Sequence, residues 1–122
     1  MARILVAEDD DMLRGLVVRA LNEDGHEVIT AEDGVTAFHT LTQTDGVDLL
    51  LTDVKMPVMD GIELALSCGH EFPDLPIMLM TGYADQRERA HELDALVHDV
   101  INKPFSVGQI QGAVREALVA RR

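Results

Sequence analysis

Four apolar runs in this chain end in residues that can act on a phosphoryl group. Ile4 to Ala7 leads into Glu8-Asp9-Asp10-Asp11, Val47 to Leu51 into Thr52-Asp53, Ile77 to Met80 into Thr81-Gly82, and Leu96 to Ile101 into Asn102-Lys103-Pro104. Three carboxylates crowded together repel one another and do not all stay ionised without a cation. A site with few carboxylates and remaining water suits Mg2+. A carboxylate held against such an ion can attack phosphorus and form an aspartyl phosphate. Charge in the loose transition state spreads over the phosphoryl oxygens, so a metal, a fixed ammonium and a hydroxyl donor are the useful neighbours. Lys103 and Thr81 supply the last two, and Glu8, Asp9, Asp53, Thr81 and Lys103 together read as a phospho-accepting site.

Bringing these residues together requires parallel strands. Apolar runs recur at a spacing right for alternating strands and helices, with Val28 to Ala31 as the fifth strand candidate. A first helix is predicted from Leu13, Leu16, Val17, Ala20 and Leu21, with Gly25 at its C-terminal end. A second would carry Val35, Phe38 and Leu41 on one face, and a third Ile62, Ala65 and Phe72. Ala84 to Asp94 is a weakly amphipathic fourth. The last opens at Ser106, with Gln109 completing a capping box, and would bury Val107, Ile110, Val114 and Leu118. Arg121 and Arg122 suit the negative end of its dipole. Five β-α units imply a doubly wound α/β fold, a parallel sheet with helices on both faces and a site at the strands' carboxyl ends. The strand ending in Glu32-Asp33 would lie at an edge, further from that site.

The 122 residues suffice for one domain, 1-122, and the 47% hydrophobic and 26% charged content is that of a soluble globular chain. The 22 acidic residues against 10 Lys and Arg leave a charge of -12, which opposes direct binding to nucleic acid or anionic membrane. A lone Cys68, no signal-peptide pattern and no apolar stretch near the roughly 20 residues of a membrane span predict a cytoplasmic protein.

The segments Ile4-Leu5-Val6-Ala7-Glu8-Asp9-Asp10, Leu50-Leu51-Thr52-Asp53-Val54-Lys55-Met56-Pro57-Val58-Met59-Asp60-Gly61, Met80-Thr81-Gly82-Tyr83-Ala84 and Asn102-Lys103-Pro104-Phe105 come in the order and spacing of one family. The chain resembles the receiver domain of a two-component response regulator from its first strand to its last helix. The resemblance implies a flavodoxin-like five-stranded sheet in the order 2-1-3-4-5, with five helices. It implies that Asp53 accepts a phosphoryl group from phosphohistidine. Asp9 would bind Mg2+ directly and Glu8 through water, with the Lys55 backbone carbonyl as a further ligand. Thr81 would follow the phosphoryl oxygens, and Lys103 would bridge towards Asp53. The implied partners are a histidine kinase or histidine phosphotransfer protein and a downstream protein target. The length and the Met56-to-Ala65 and Ile77-to-Ala84 stretches are similar to CpdR-like regulators, stand-alone receivers that control a protease adaptor.

Two features depart from the family pattern. An aromatic residue usually stands three positions before the lysine, where this chain has Val100, and Tyr83 is the nearest substitute. Glu8 replaces the commoner Asp, lengthening one ligand arm. Simpler roles compete at several positions: Asp10 or Asp11 would cap the first helix, Asp60-Gly61 would form a turn and helix start, and the dispersed histidines would be structural. Met56 would sit near the site, and Gly108 and Gly112, one helical turn apart, would allow close helix contact. The last two helices would offer a partner surface. A small Mg2+-dependent phosphohydrolase is the alternative function, but Lys55 occupies the place of its second carboxylate and there is no room for a cap. A flavin or nucleotide binder would need a neutral loop where Glu8-Asp9-Asp10-Asp11 stands.

Overall fold

In the computed structural model, residues 2–82 and 97–120 are described. The elements alternate as β1 (Arg3–Ala7), α1 (Asp11–Glu23), β2 (Glu27–Ala31), α2 (Gly34–Gln43), β3 (Leu49–Asp53), α3 (Gly61–Glu71) and β4 (Ile77–Thr81), then β5 (Asp99–Asn102) and α4 (Val107–Ala120). The strands form one parallel sheet in the order β2-β1-β3-β4-β5, as expected. The helix expected over Ala84 to Asp94 lies outside the described residues, as do Tyr83, Arg121 and Arg122.

Side chains alternate across the sheet, so each strand feeds two cores. Leu5, Leu50 and Leu79 pack with Ala37 and Leu41 of α2 and Leu64 and Cys68 of α3. Ile4, Leu49, Leu51, Met78 and Met80 pack on the other face with Val17 and Leu21 of α1 and Ile110 and Val114 of α4. Covered on both sides, β3 and β4 are buried along their whole length, which is why their sequences run apolar rather than alternate.

The helices start and stop as the sequence indicates. Asp10 caps α1, accepting from the Met12 and Leu13 amides, and Gly25 follows its end at φ 86°. Asp33 caps α2, and Asp60 with Glu63 forms a capping box at α3. At α4 the Gln109 amide donates to Ser106 Oγ at 3.1 Å while the Ser106 amide donates to Gln109 Oε1 at 2.7 Å. Arg115 forms an ion pair with Asp24 that ties α4 to the end of α1, and its hydrogen bonds hold the Asp24 carboxyl below its ordinary range.

Several expected details differ. Val35 is half exposed because α2 turns Gly34, Ala37 and Leu41 inward. Val107 is exposed as well: the α4 core stripe is Ile110, Val114 and Ala117, one turn further along, with Leu118 partly buried. Leu16 is likewise partly exposed on α1. The third strand starts later than Val47, at Leu49, and continues through Asp53, which pairs with Met80. Within the described residues the fifth strand begins at Asp99, after the buried Val97. Among the described residues Gly112 meets no helix closely, since a Cβ there would find none of their atoms within 4 Å.

Candidate functional site

The carboxyl ends of β1, β3, β4 and the loop after β5 converge on one cleft lined by Glu8, Asp9, Asp53, Lys55, Gly82 and Lys103. Glu8 leaves β1 wholly buried, its amide donating to the Ala31 carbonyl at 3.0 Å. Asp53 ends β3 and is 5% exposed, whereas Asp9 is exposed. The Lys103 amide donates to the Thr81 carbonyl at 2.8 Å, which roots the lysine beside the end of β4.

Lys103 Nζ lies 2.8 Å from Asp53 Oδ1 and 3.2 Å from Glu8 Oε1. Among the described residues one ammonium thus faces two buried carboxyl groups, an arrangement short of positive charge. Burial, followed by the charge of Asp53, pushes the Glu8 carboxyl up to about 7, while the Asp10 amide and Lys103 pull the other way. Burial opposes the charged lysine too, but hydrogen bonds and charge from Asp53 and Glu8 outweigh it and raise Lys103 above its ordinary value.

One oxygen each from Glu8, Asp9 and Asp53 lies within 4.8 Å of the others. That all-oxygen set fits a hard divalent cation, which would relieve the charge shortage. Thr81 is wholly buried at the end of β4. Lys55 is exposed on the loop after β3, and Met56 is buried behind it. Five residues expected to form a site therefore stand at one end of the sheet, with Lys55 at its rim.

Thr52 and Gly61 support the site in ways their residue types alone do not show. The buried Thr52 hydroxyl donates to the Asp53 carbonyl at 3.0 Å and lies 3.8 Å from Met56 Sδ, tying the strand end to the following loop. Gly61 presses against that same backbone: a Cβ there would sit 2.0 Å from the Asp53 carbonyl oxygen. The Gly after the capping Asp60 was the available signal. Val100, paired with Leu79, packs into the α2–α3 core, so among the described residues no ring occupies the position of the family's usual aromatic.

The chain matches the response regulator receiver domain family over residues 4–115. It is 38% identical over 120 residues to the response regulator receiver protein CpdR of Brucella abortus, covering 98% of this chain and 99% of that protein. It is 36% identical to the response regulator MprA of Mycobacterium avium, covering 95% of this chain but 50% of that protein. A response regulator receiver domain protein from Clostridium thermocellum superposes with a TM-score of 0.91 at 23% identity, covering 99% of this chain and 97% of the other. The chain belongs to the response regulator receiver family. Among the described residues, no helix is long and apolar enough to cross a membrane.

Proposed function

We propose that Asp53 is the phospho-acceptor of a two-component switch and that its phosphorylation changes which proteins the chain binds. The observation that carries this reading is the single Lys103 ammonium shared between Asp53 and Glu8, with an Asp9 oxygen close by. An Asp53 oxygen attacks the phosphorus of a phosphohistidine, the P–N bond breaks, and the imidazole leaves with the donor protein. Lys103 lies 2.8 Å from the attacking carboxylate, close enough to shift onto a phosphoryl oxygen as charge develops there. The Thr81 hydroxyl supplies a further donor. Asp9 and Asp53 would hold Mg2+ directly, Glu8 through water, and Lys55 through its backbone carbonyl. When bound, the ion supplies positive charge to the phosphoryl oxygens.

The upstream partner is a histidine kinase or a histidine phosphotransfer protein. Near full-length similarity to CpdR supports a downstream protein target of the kind implied by the sequence, a protease adaptor system. A self-contained phosphohydrolase is the weaker reading, because Lys55 offers no carboxyl for acid–base work two residues after Asp53. The formal charge of -12 disfavours nucleic acid and anionic membrane as direct partners. The test is transfer of labelled phosphate from a phosphorylated histidine kinase. Label should reach the wild-type chain and not Asp53→Ala; equal labelling of both would overturn the assignment.

A further inference from the structure

We infer that Arg14 is a positioning residue that fixes Glu8 and Asp9 for Mg2+, and that its two-armed geometry rather than its charge does so. The inference rests on the metal reading above. Arg14 lies in the first turns of α1 with its side chain only 17% exposed. Its Nη1 donates to the Glu8 main-chain carbonyl at 2.9 Å. Nη2 forms an ion pair with Asp11 and lies 3.9 Å from Glu32 Oε1, after the end of β2.

The carbonyl that Arg14 holds belongs to the peptide joining Glu8 to Asp9. That peptide is planar, so fixing its oxygen sets the direction in which the Asp9 Cα leaves the strand. The next peptide is held as well, since the Asp10 amide donates to Glu8 Oε2 at 3.2 Å. Asp9 itself is exposed, and these bonds hold the peptides on either side of it, beside its side-chain interaction with Glu8. Arg14 therefore reaches Glu8 and Asp9 through the backbone, and its other arm is held by Asp11 in the first turn of α1.

Charge and geometry predict opposite effects here. A guanidinium near a cation site repels the cation, and removing it leaves Asp11 and the more distant Glu32 uncompensated, so charge alone predicts tighter Mg2+ binding in its absence. Loss of a group that orients ligands typically weakens a metal site by tenfold or more. A lysine keeps the charge but has no fork with which to hold a carbonyl and a carboxylate together.

The experiment is calorimetric titration of the whole chain with Mg2+ at pH 8, for wild type, Arg14→Met and Arg14→Lys, with circular dichroism of each metal-free protein to verify its fold. Arg14→Met should bind about tenfold more weakly than wild type, and Arg14→Lys should remain severalfold weaker. Binding by Arg14→Met as tight as wild type or tighter would overturn the inference, as would full rescue by Arg14→Lys. Should Arg14→Met not fold, Arg14→Lys decides alone by the same criterion. A wild-type chain without a binding signal would instead overturn the metal reading, a result distinguishable from tight binding in the variants.

Discussion

Glu8→Gln gives a quantitative test of the electrostatics of the site. Glu8 is 1% exposed and shares one lysine with Asp53, and its carboxyl stands at about 7 rather than its ordinary 4.5. Between these values the folded protein holds a proton that the unfolded chain has released. Stability of the metal-free protein must therefore fall as pH rises through that window, and the full loss is reached above pH 7. The shift corresponds to about 3 kcal/mol across the whole window, of which most falls between pH 5 and pH 8. Glutamine does not titrate, and whatever its substitution costs in hydrogen bonding is the same at both pH values. Groups that do not interact with Glu8, such as Asp24 with its lowered value, are common to both proteins and cancel. Urea unfolding followed by circular dichroism, with chelator present, should show Glu8→Gln gaining on wild type by roughly 2 to 3 kcal/mol from pH 5 to pH 8. Saturating Mg2+ should reduce that gain by stabilising ionised Glu8. A stability difference that does not change with pH would refute the crowded-carboxylate account.

Three other substitutions or probes follow from local packing. Gly61→Ala places a methyl group 2.0 Å from the Asp53 carbonyl oxygen, so it should cost about 3 kcal/mol and lower the thermal midpoint; an unchanged midpoint would contradict the close approach. Val58 is 84% exposed at φ 68°, a conformation costly for a β-branched side chain. Val58→Asn should stabilise the chain by about 1 kcal/mol in the same unfolding assay, and destabilisation would show that the loop needs valine. Cys68 is wholly buried, and burial pushes its thiol up to about 12, so iodoacetamide at pH 8 should label it only after unfolding in urea; rapid labelling of the native chain would contradict this.

The sheet order followed from the family resemblance, whereas the strand ends were legible in the residues themselves. Strand ends such as Thr52-Asp53 and Thr81-Gly82 mark both where pairing stops and where chemistry begins. Caps were legible for the same local reason: Asp10, Asp60 and Ser106 each sit just before an amphipathic run. Helix orientation was harder. Val35 and Val107 fit a helical period by hydrophobicity, but small residues, Gly34 and Ala37 in one helix and Ala117 in the other, decide which face approaches the sheet. The reach of Arg14 to the site escaped notice because it runs through a main-chain carbonyl, which has no sequence signature; its spacing from Asp11 shows only an ordinary pair along one helix. Lys103 was legible by type as the ammonium of the site, whereas its sharing between Asp53 and Glu8 and the exclusion of water from Glu8 emerged only from the packing.

The measurement that bears most directly on the central claim is the intact mass of the chain after incubation with a small phosphodonor, with Mg2+ or with chelator, beside Asp53→Ala. A single phosphoryl adduct that requires both Mg2+ and Asp53 is the predicted result. An adduct that persists in Asp53→Ala, or no adduct on the wild-type chain from either the small donor or a phosphohistidine protein, would contradict the account.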